Sequence, residues 1–453
     1  MDKRENFGSK IGAILATAGS AVGLGNIWRF PIETGKNGGA AFILIYIGCI
    51  LLLGLPLMLS EFIIGRSTQS NATGAYQKLA PDTHWKWVGR LGVFAGFVVL
   101  SYYSVVAGWT VKYSILAIEN QFSGADAITL SETFTKFASK PLEPVFYLVV
   151  FILMTHTVVV MGIKKGIEKS ANILMPLLFV IILILVICSV SQTGASEGLA
   201  FLLKPDFSKV NGSVVINALG QAFFSLSLGL GCLCTYASYF KKSTNLPNTA
   251  INVIAIDTII ALMAGFIIFP ATSAAGMPLD SGIMGPQLIF ITLPNVFQQA
   301  FAGVPWLAYI FSVLFFLLLI LAALTSTISM HEIVTSYITE EYKLSRAKAA
   351  SIETVACIII GILCSLSFGL LDNVSIFGKN IFDVCDWIVC KLCMPIGGIL
   401  ISLFTGWYLK KKLIKDELTN QGRLKVPLFN VFYFVVRYIS PIAILIIFIS
   451  QFG

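Results

Sequence analysis

The same tripeptide, Gly23-Leu24-Gly25 and Gly229-Leu230-Gly231, interrupts two apolar runs of membrane length that lie 206 residues apart. Lipid offers a backbone no hydrogen-bonding partner, so a chain crosses a bilayer only as helices or as a closed barrel. Glycines in the middle of such a run break the helix and free N–H and C=O groups, which are costly in hydrocarbon unless something polar meets them. One such tripeptide alone reads as close helix packing. Two in register, flanked by Asn26, Gln221, Ser225 and Ser227, point to a binding site near the bilayer midplane.

The rest of the chain agrees with a membrane origin for these breaks. Of 453 residues, 57% are hydrophobic and only 12% are charged. A hydrocarbon core about 30 Å thick needs about 20 apolar residues per helix. Eleven spans are expected, at 10–35, 40–64, 88–118, 143–161, 167–191, 214–239, 251–275, 304–337, 350–371, 386–409 and 427–450. The expected fold is therefore an all-α polytopic membrane protein. Lys3 and Arg4 before the apolar run Ile11 to Leu15 imitate a secretory signal, but the run continues into GSAVGLGNIWRF without a cleavage site.

The net charge of +8 invites a nucleic-acid reading, which the placement of the charges excludes. Alternate connections carry 21 Lys and Arg, among them Lys164, Lys165, Lys241, Lys242 and Lys410 to Lys412, whereas the others carry six: Lys36, Lys136, Lys140, Lys204, Lys209 and Lys379. The positive-inside rule then sets the N-terminus in the cytoplasm. Eleven spans put the C-terminus outside, and the inner membrane of a bacterium is the expected location.

No linker divides the chain, so 1–453 is read as one transporter domain. Spans 1 to 5, about 10–191, and spans 6 to 10, about 214–409, form two five-helix halves, with an extra span at about 427–450. Five is odd, so the second half enters from the opposite side and the 5+5 repeat is inverted. Both Gly-Leu-Gly breaks fall in the first helix of a half, making helices 1 and 6 the broken pair. The loop Gly65 to Arg90 mixes Tyr76, Trp85 and Trp87 with basic residues and is expected to anchor at the interface. The segment 276–303, with Pro278, Pro286, Pro294 and Phe290, is placed to fold over a cavity mouth.

Several polar residues sit where lipid makes them expensive. Asp257 lies within NVIAIDTIIALMAGF, and a carboxylate at that depth needs a partner or an ion. Thr325 and Ser326 can aim hydroxyls at one spot, with the Ala322 carbonyl a turn earlier. Arg29 and Asp386 stand near the outer ends of spans 1 and 10, as a gating pair or a plain salt bridge. Nine cysteines lie mostly inside spans, and Cys385, Cys390 and Cys393 lack the spacing of a metal site. Nothing matches a Walker A loop, a zinc-protease helix around His331-Glu332, or a G-x-S-x-G elbow, so no enzyme and no organic cofactor are expected.

GSAVGLGNIWRFP followed by NGGAAF, Tyr102-Tyr103 with Trp109, FFSLSLGLGCLCTYASY, LTSTIS and FDVCDW together resemble the neurotransmitter:sodium symporter family over nearly the whole chain. The resemblance implies two sodium ions. One would lie among the Ala21 carbonyl, Asn26, Ser225, Asp257 and the substrate carboxylate. The second would use the carbonyls of Gly19, Val22 and Ala322 with the hydroxyls of Thr325 and Ser326. The substrate carboxylate would meet Tyr103 and the amides near Leu24 and Gly25, and its ammonium the carbonyls near Phe224 and Ser227. Val99, Phe224, Ser227, Leu230, Ser326, Thr327 and Met330 would line an uncharged side-chain pocket. Arg29 and Asp386 with Phe224 as a lid resemble the outer gate, and Arg4 with Glu340 the inner one.

Departures from the pattern refine the expectation. Gly23 stands where monoamine carriers of the family have Asp, which favours substrates that bring their own carboxylate. Asp257 stands where Asn is frequent, and Ala261 where chloride-dependent members have Ser. Tyr46, Gln221 and Ser225 of the anion site remain, but a fixed carboxylate takes the anion's electrostatic place. Leu230 replaces a phenylalanine of the family's leucine carrier and leaves room for a larger side chain. Phe7 replaces a tryptophan of the inner latch. The expected activity is sodium-coupled, chloride-independent symport of neutral hydrophobic or aromatic L-amino acids by alternating access. A proton-coupled carrier of the same fold is the alternative; a non-transporting amino-acid sensor would want a signalling extension, for which residues 1–9 and 451–453 leave no room.

Overall fold

Apolar runs that must satisfy their own backbone become helices, and helices make up the regular structure of the computed structural model, which describes residues 5–279 and 288–451. Among these residues the single exception is an isolated bridge between Ile376 and Lys379. In chain order the membrane segments are α1 (Lys10–Ala21) continued by α2 (Gly25–Lys36), α3 (Ala40–Thr68), α4 (Lys86–Ile118), α5 (Glu143–Val160) and α6 (Ile163–Val190). There follow α7 (Gly212–Ser225) continued by α8 (Cys232–Ala237), and then α9 (Leu246–Ala274), α10 (Pro305–Glu341), α11 (Arg346–Leu366), α12 (Ile381–Tyr408) and α13 (Phe429–Ser450). Among the described residues nine helices are long and apolar enough to cross a membrane, the bent pair α1 and α2 makes a tenth, and α7 with α8 counted as one crossing brings the number to the expected eleven; every expected boundary lies within five residues of its place here.

Proline shapes these helices. Wide hydrogen-bonded turns at Gly25–Arg29, Ile50–Gly54, Ile388–Cys393 and Val435–Ile439 each end two residues before a proline, namely Pro31, Pro56, Pro395 and Pro441. A proline has no N–H to donate and crowds the carbonyl one turn back, so the helix widens locally instead of breaking.

The broken crossings sit inside the bundle. α1 packs among α6, α9 and α10, while α10 runs along the length of α4. α13 packs chiefly on α12, outside the two halves. The helix Ala72–Leu79 anchors the loop between α3 and α4, and Tyr76 and Trp85 meet Phe404 at ring separations of 4.8 and 4.9 Å. Phe290 of the segment 276–303 is buried among Trp109, Tyr113 and Phe134 at the expected outer end of α4, with the helix Leu293–Ala300 behind it. Pro286 of that segment lies outside the described residues. All nine cysteines are free thiols.

Candidate functional site

Both glycine tripeptides interrupt their helices. α1 stops at Ala21, Val22 is extended at φ −67°, ψ 113°, and α2 departs at 56° to α1. The freed amides find partners at once: the Gly23 N–H donates to the Asn26 side-chain oxygen at 3.0 Å and the Leu24 N–H to the Tyr103 hydroxyl at 2.9 Å. In the second crossing the chain unwinds between Ser225 and Cys232, with Ser227, Gly229 and Gly231 at φ 51°, 85° and 77°. At Gly229 a side chain is barred twice over, by the left-handed backbone and by the Met394 carbonyl, 2.5 Å from where a Cβ would stand.

Glu61 of α3 closes the second break. Its carboxylate is fully buried and accepts the Gly229 N–H at 2.9 Å and the Cys234 N–H at 3.2 Å, bridging the gap that the unwound turn leaves. Sequence reasoning passed over this residue, although the signal was present: an acid within LPLMLSEFIIG calls for a partner as Asp257 does.

Two groups of oxygen donors flank the breaks. In the first, the Asp257 carboxylate, fully buried, accepts the Asn26 amide at 2.7 Å and the Ser225 hydroxyl at 2.8 Å. In the second, the Ser326 hydroxyl donates to the Val22 carbonyl at 2.8 Å, and the Thr325 hydroxyl lies 3.4 Å from that carbonyl and 3.0 Å from the carbonyl of Ala322. Gly19 packs against Thr325 so closely that an added Cβ would meet its Cβ at 3.2 Å.

Between these groups lies a cavity lined by Ala21, Gly25, Asn26, Val99, Tyr103, Phe224, Ser225, Ser227, Leu230, Ser326 and Met330, together with Gly23, Tyr102, Cys390 and Met394. Cys390 and Met394 come from α12 and were not expected here. Leu24 contributes its backbone amide through Tyr103. Thr327 is a correction: its hydroxyl pairs with Thr155 of α5 at 2.8 Å and bonds back to the Leu324 carbonyl. Successive helical residues point about 100° apart, so the face that aims Ser326 at Val22 turns Thr327 towards α5.

On the expected outer side, the Arg29 guanidinium lies 4.0 Å from the centre of the Phe224 ring. Asp386 instead accepts the Tyr102 hydroxyl at 3.0 Å and the Cys390 thiol at 3.3 Å. Among the described residues, no ion pair joins Arg29 to Asp386. On the expected inner side, Arg4 lies outside the described residues, and Glu340 accepts the Asn71 N–H at 2.9 Å. The strap before α1 is fastened all the same. Phe7 is buried amid Tyr236, Tyr239 and Phe240, its rings 6.1 Å from each, and its N–H donates to the Tyr239 carbonyl at 3.1 Å. Glu168 of α6 accepts the Gly8 and Ser9 amides at 2.6 and 2.9 Å. Phe7 thus fills the place where the tryptophan of the inner latch was expected.

The family model described as the sodium:neurotransmitter symporter family matches residues 4–132 and 138–452. The sodium-dependent transporter YhdH of Bacillus subtilis is 39% identical over 100% of this chain and 98% of its own. A sodium-dependent transporter of Haemophilus influenzae is 35% identical, over 99% of this chain and 98% of its own. Among solved structures, that of MhsT in complex with L-phenylalanine is 44% identical, covers 99% of this chain and 100% of its own, and superposes with a TM-score of 0.88. On these relationships the chain belongs to the sodium:neurotransmitter symporter family, an integral membrane, sodium-dependent transporter and not an enzyme.

Proposed function

We propose that this chain is a sodium-coupled symporter of neutral apolar or aromatic L-amino acids, working by alternating access in a bacterial inner membrane with Lys10 near the cytoplasmic face. One domain holds the two inverted halves, 10–191 and 214–409, with α13 apart from them. The observation that carries the reading is the uncharged cavity set between two helix breaks with the Asn26, Ser225 and Asp257 oxygens at its edge. MhsT, the relative solved with L-phenylalanine, supports the substrate class.

The donor chemistry fits two alkali ions. Carbonyl, hydroxyl, amide and carboxylate oxygens are hard ligands suited to a small, strongly hydrated cation. Asn26, Ser225 and Asp257 with the Ala21 carbonyl would hold one, and the Gly19, Val22 and Ala322 carbonyls with Thr325 and Ser326 the other. Such ions supply positive charge beside the substrate carboxylate and couple uptake to their gradient. With a tenfold gradient and a potential of about 100 mV, two of them provide roughly 7 kcal/mol.

The chain's own groups do the rest. Tyr103 accepts the Leu24 amide and keeps its hydrogen for the substrate carboxylate, which faces the positive end of α2. The amine faces the C-terminal end of α7 near Phe224 and Ser227, where carbonyls carry partial negative charge. Phe224 beneath Arg29 covers the cavity from outside, and the Phe7 strap covers it from within.

A binding screen of the twenty amino acids at fixed pH, with and without sodium, tests the reading. Phenylalanine, leucine and similar residues should bind only with sodium; binding that ignores sodium and follows pH would support proton coupling instead. Replacing Leu230 by Phe should weaken phenylalanine binding about tenfold while sparing valine, because added ring volume in a lined pocket costs 1–3 kcal/mol or about that. Equal losses for both would show that Leu230 does not set the size limit.

Chloride independence is the finer part of the proposal. Both polar atoms of the Gln221 amide are buried and have no hydrogen-bond partner among the described residues, which favours an anion as a second reading. The Asp257 carboxylate, hydrogen-bonded to Ser225, supplies a fixed negative charge at that place. Asp257→Asn should therefore make uptake chloride-responsive or abolish it. Sodium-driven uptake that stays at the native rate and blind to chloride would exclude this role.

A further inference from the structure

Cys364 and Cys385 face each other at the outer ends of α11 and α12, with their Sγ atoms 3.8 Å apart. Cys364 is buried, whereas Cys385 is partly exposed. The same two helix ends are tied by the Phe382 N–H, which donates to the Ser367 hydroxyl at 3.4 Å. The contact is therefore built into the junction between the helices. A disulfide places its sulfurs about 2.05 Å apart, so side-chain rotation through a short distance closes the bond. The residue after Cys385 is Asp386, whose carboxylate holds Tyr102 of the cavity wall and the Cys390 thiol.

We propose that Cys364 and Cys385 form a peroxide-sensitive dithiol whose oxidation pins the outer end of α12 to α11 and slows turnover. The proposal rests on the reading above that Asp386 belongs to the outer gate and that this face meets an oxidising compartment. The chemistry balances with hydrogen peroxide as oxidant. The accessible Cys385 thiolate attacks one peroxide oxygen, giving a sulfenic acid and, with the thiol proton, one water. The Cys364 sulfur then attacks the sulfenic sulfur, the S–O bond breaks, and hydroxide leaves with the Cys364 proton as a second water. Two thiols are oxidised, one peroxide is reduced, and the disulfide closes a loop between residues 364 and 385. Alternating access moves the elements that cover the cavity. Asp386 now lies on the Tyr102 side with no ion pair to Arg29, and a tether at the preceding residue holds it there.

The test uses the full chain, purified and reconstituted in liposomes, treated with hydrogen peroxide and then with dithiothreitol. Peptide mapping by mass spectrometry without reduction should find a cross-link between Cys364 and Cys385. The maximal rate of sodium-driven phenylalanine uptake should fall by about fivefold or more, with KM changed less than about twofold, since a tether slows a conformational step and leaves the pocket intact. Dithiothreitol should restore the rate. Cys364→Ala and Cys385→Ser should transport as the native chain does and ignore peroxide. The proposal is overturned if Cys385 oxidises without cross-linking to Cys364, if the cross-link forms with uptake unchanged, or if both variants are inhibited like the native chain. Should a variant fail to fold, reversal by dithiothreitol in the native chain together with the mapped cross-link decides. The cross-link is read whether or not phenylalanine is carried, so failure of the transport reading is seen separately.

Discussion

Replacing Asp257 by alanine is expected to abolish sodium-dependent amino-acid binding. In the native chain the carboxylate is fully buried, and it accepts both the Asn26 amide at 2.7 Å and the Ser225 hydroxyl at 2.8 Å. Alanine removes a charge from the proposed first sodium site and takes away the carboxylate acceptor of the Ser225 hydroxyl, while the Asn26 amide keeps the backbone carbonyl of residue 257 at 3.2 Å. Truncating one partner of a buried charge pair costs about 2–5 kcal/mol, so sodium affinity should drop by about 100-fold. A sodium titration followed by thermal shift, or by binding of radiolabelled phenylalanine, reads the effect. Half-saturation within about threefold of native would remove Asp257 from the ion site, because a change of that size is under 1 kcal/mol or about that.

The second large effect is on stability. Glu61→Ala withdraws the carboxylate that holds both sides of the break between α7 and α8, removing the acceptor that the buried Gly229 and Cys234 amides share. Two such losses should destabilise the fold by about 2–5 kcal/mol. Glu61→Gln keeps an acceptor oxygen in the same position and should fall between alanine and native. Thermal unfolding in detergent checks the order. Alanine and native melting together would mean that the unwound turn is held by its packing, in which the Gly229 backbone lies against Met394 and Gly398.

The positions of the spans, the two breaks and the cost of Asp257 were legible along the chain because lipid enforces them locally. Each crossing must hold about 20 apolar residues, and each glycine break or acid in mid-span stands out against them. The grouping of the oxygen-bearing residues into two ion sites came from the resemblance to the symporter family and not from spacing. Glu61 was equally visible as an acid in an apolar run. Its partners were not, because the Gly229 and Cys234 amides that it bonds are 168 and 173 residues away.

What spacing alone does not give is rotation and reach. Ser326 and Thr327 are neighbours in sequence with the same kind of side chain, and only the packing of α10 against α1 and α5 sends one to Val22 and the other to Thr155. The Arg29 charge chooses the Phe224 ring, while Asp386 chooses Tyr102. Phe7 is held because Tyr236, Tyr239 and Phe240 converge on it from around α8. Cys385 meets Cys364, not the cysteines that follow it in its own helix. The amino-acid sequence by itself determined where helices cross, where they must break, and which polar residues lipid would force into company. Tertiary packing decided which partner each of those residues took, because a rotation of about 100° per residue redirects a side chain without altering the local pattern that specifies the helix.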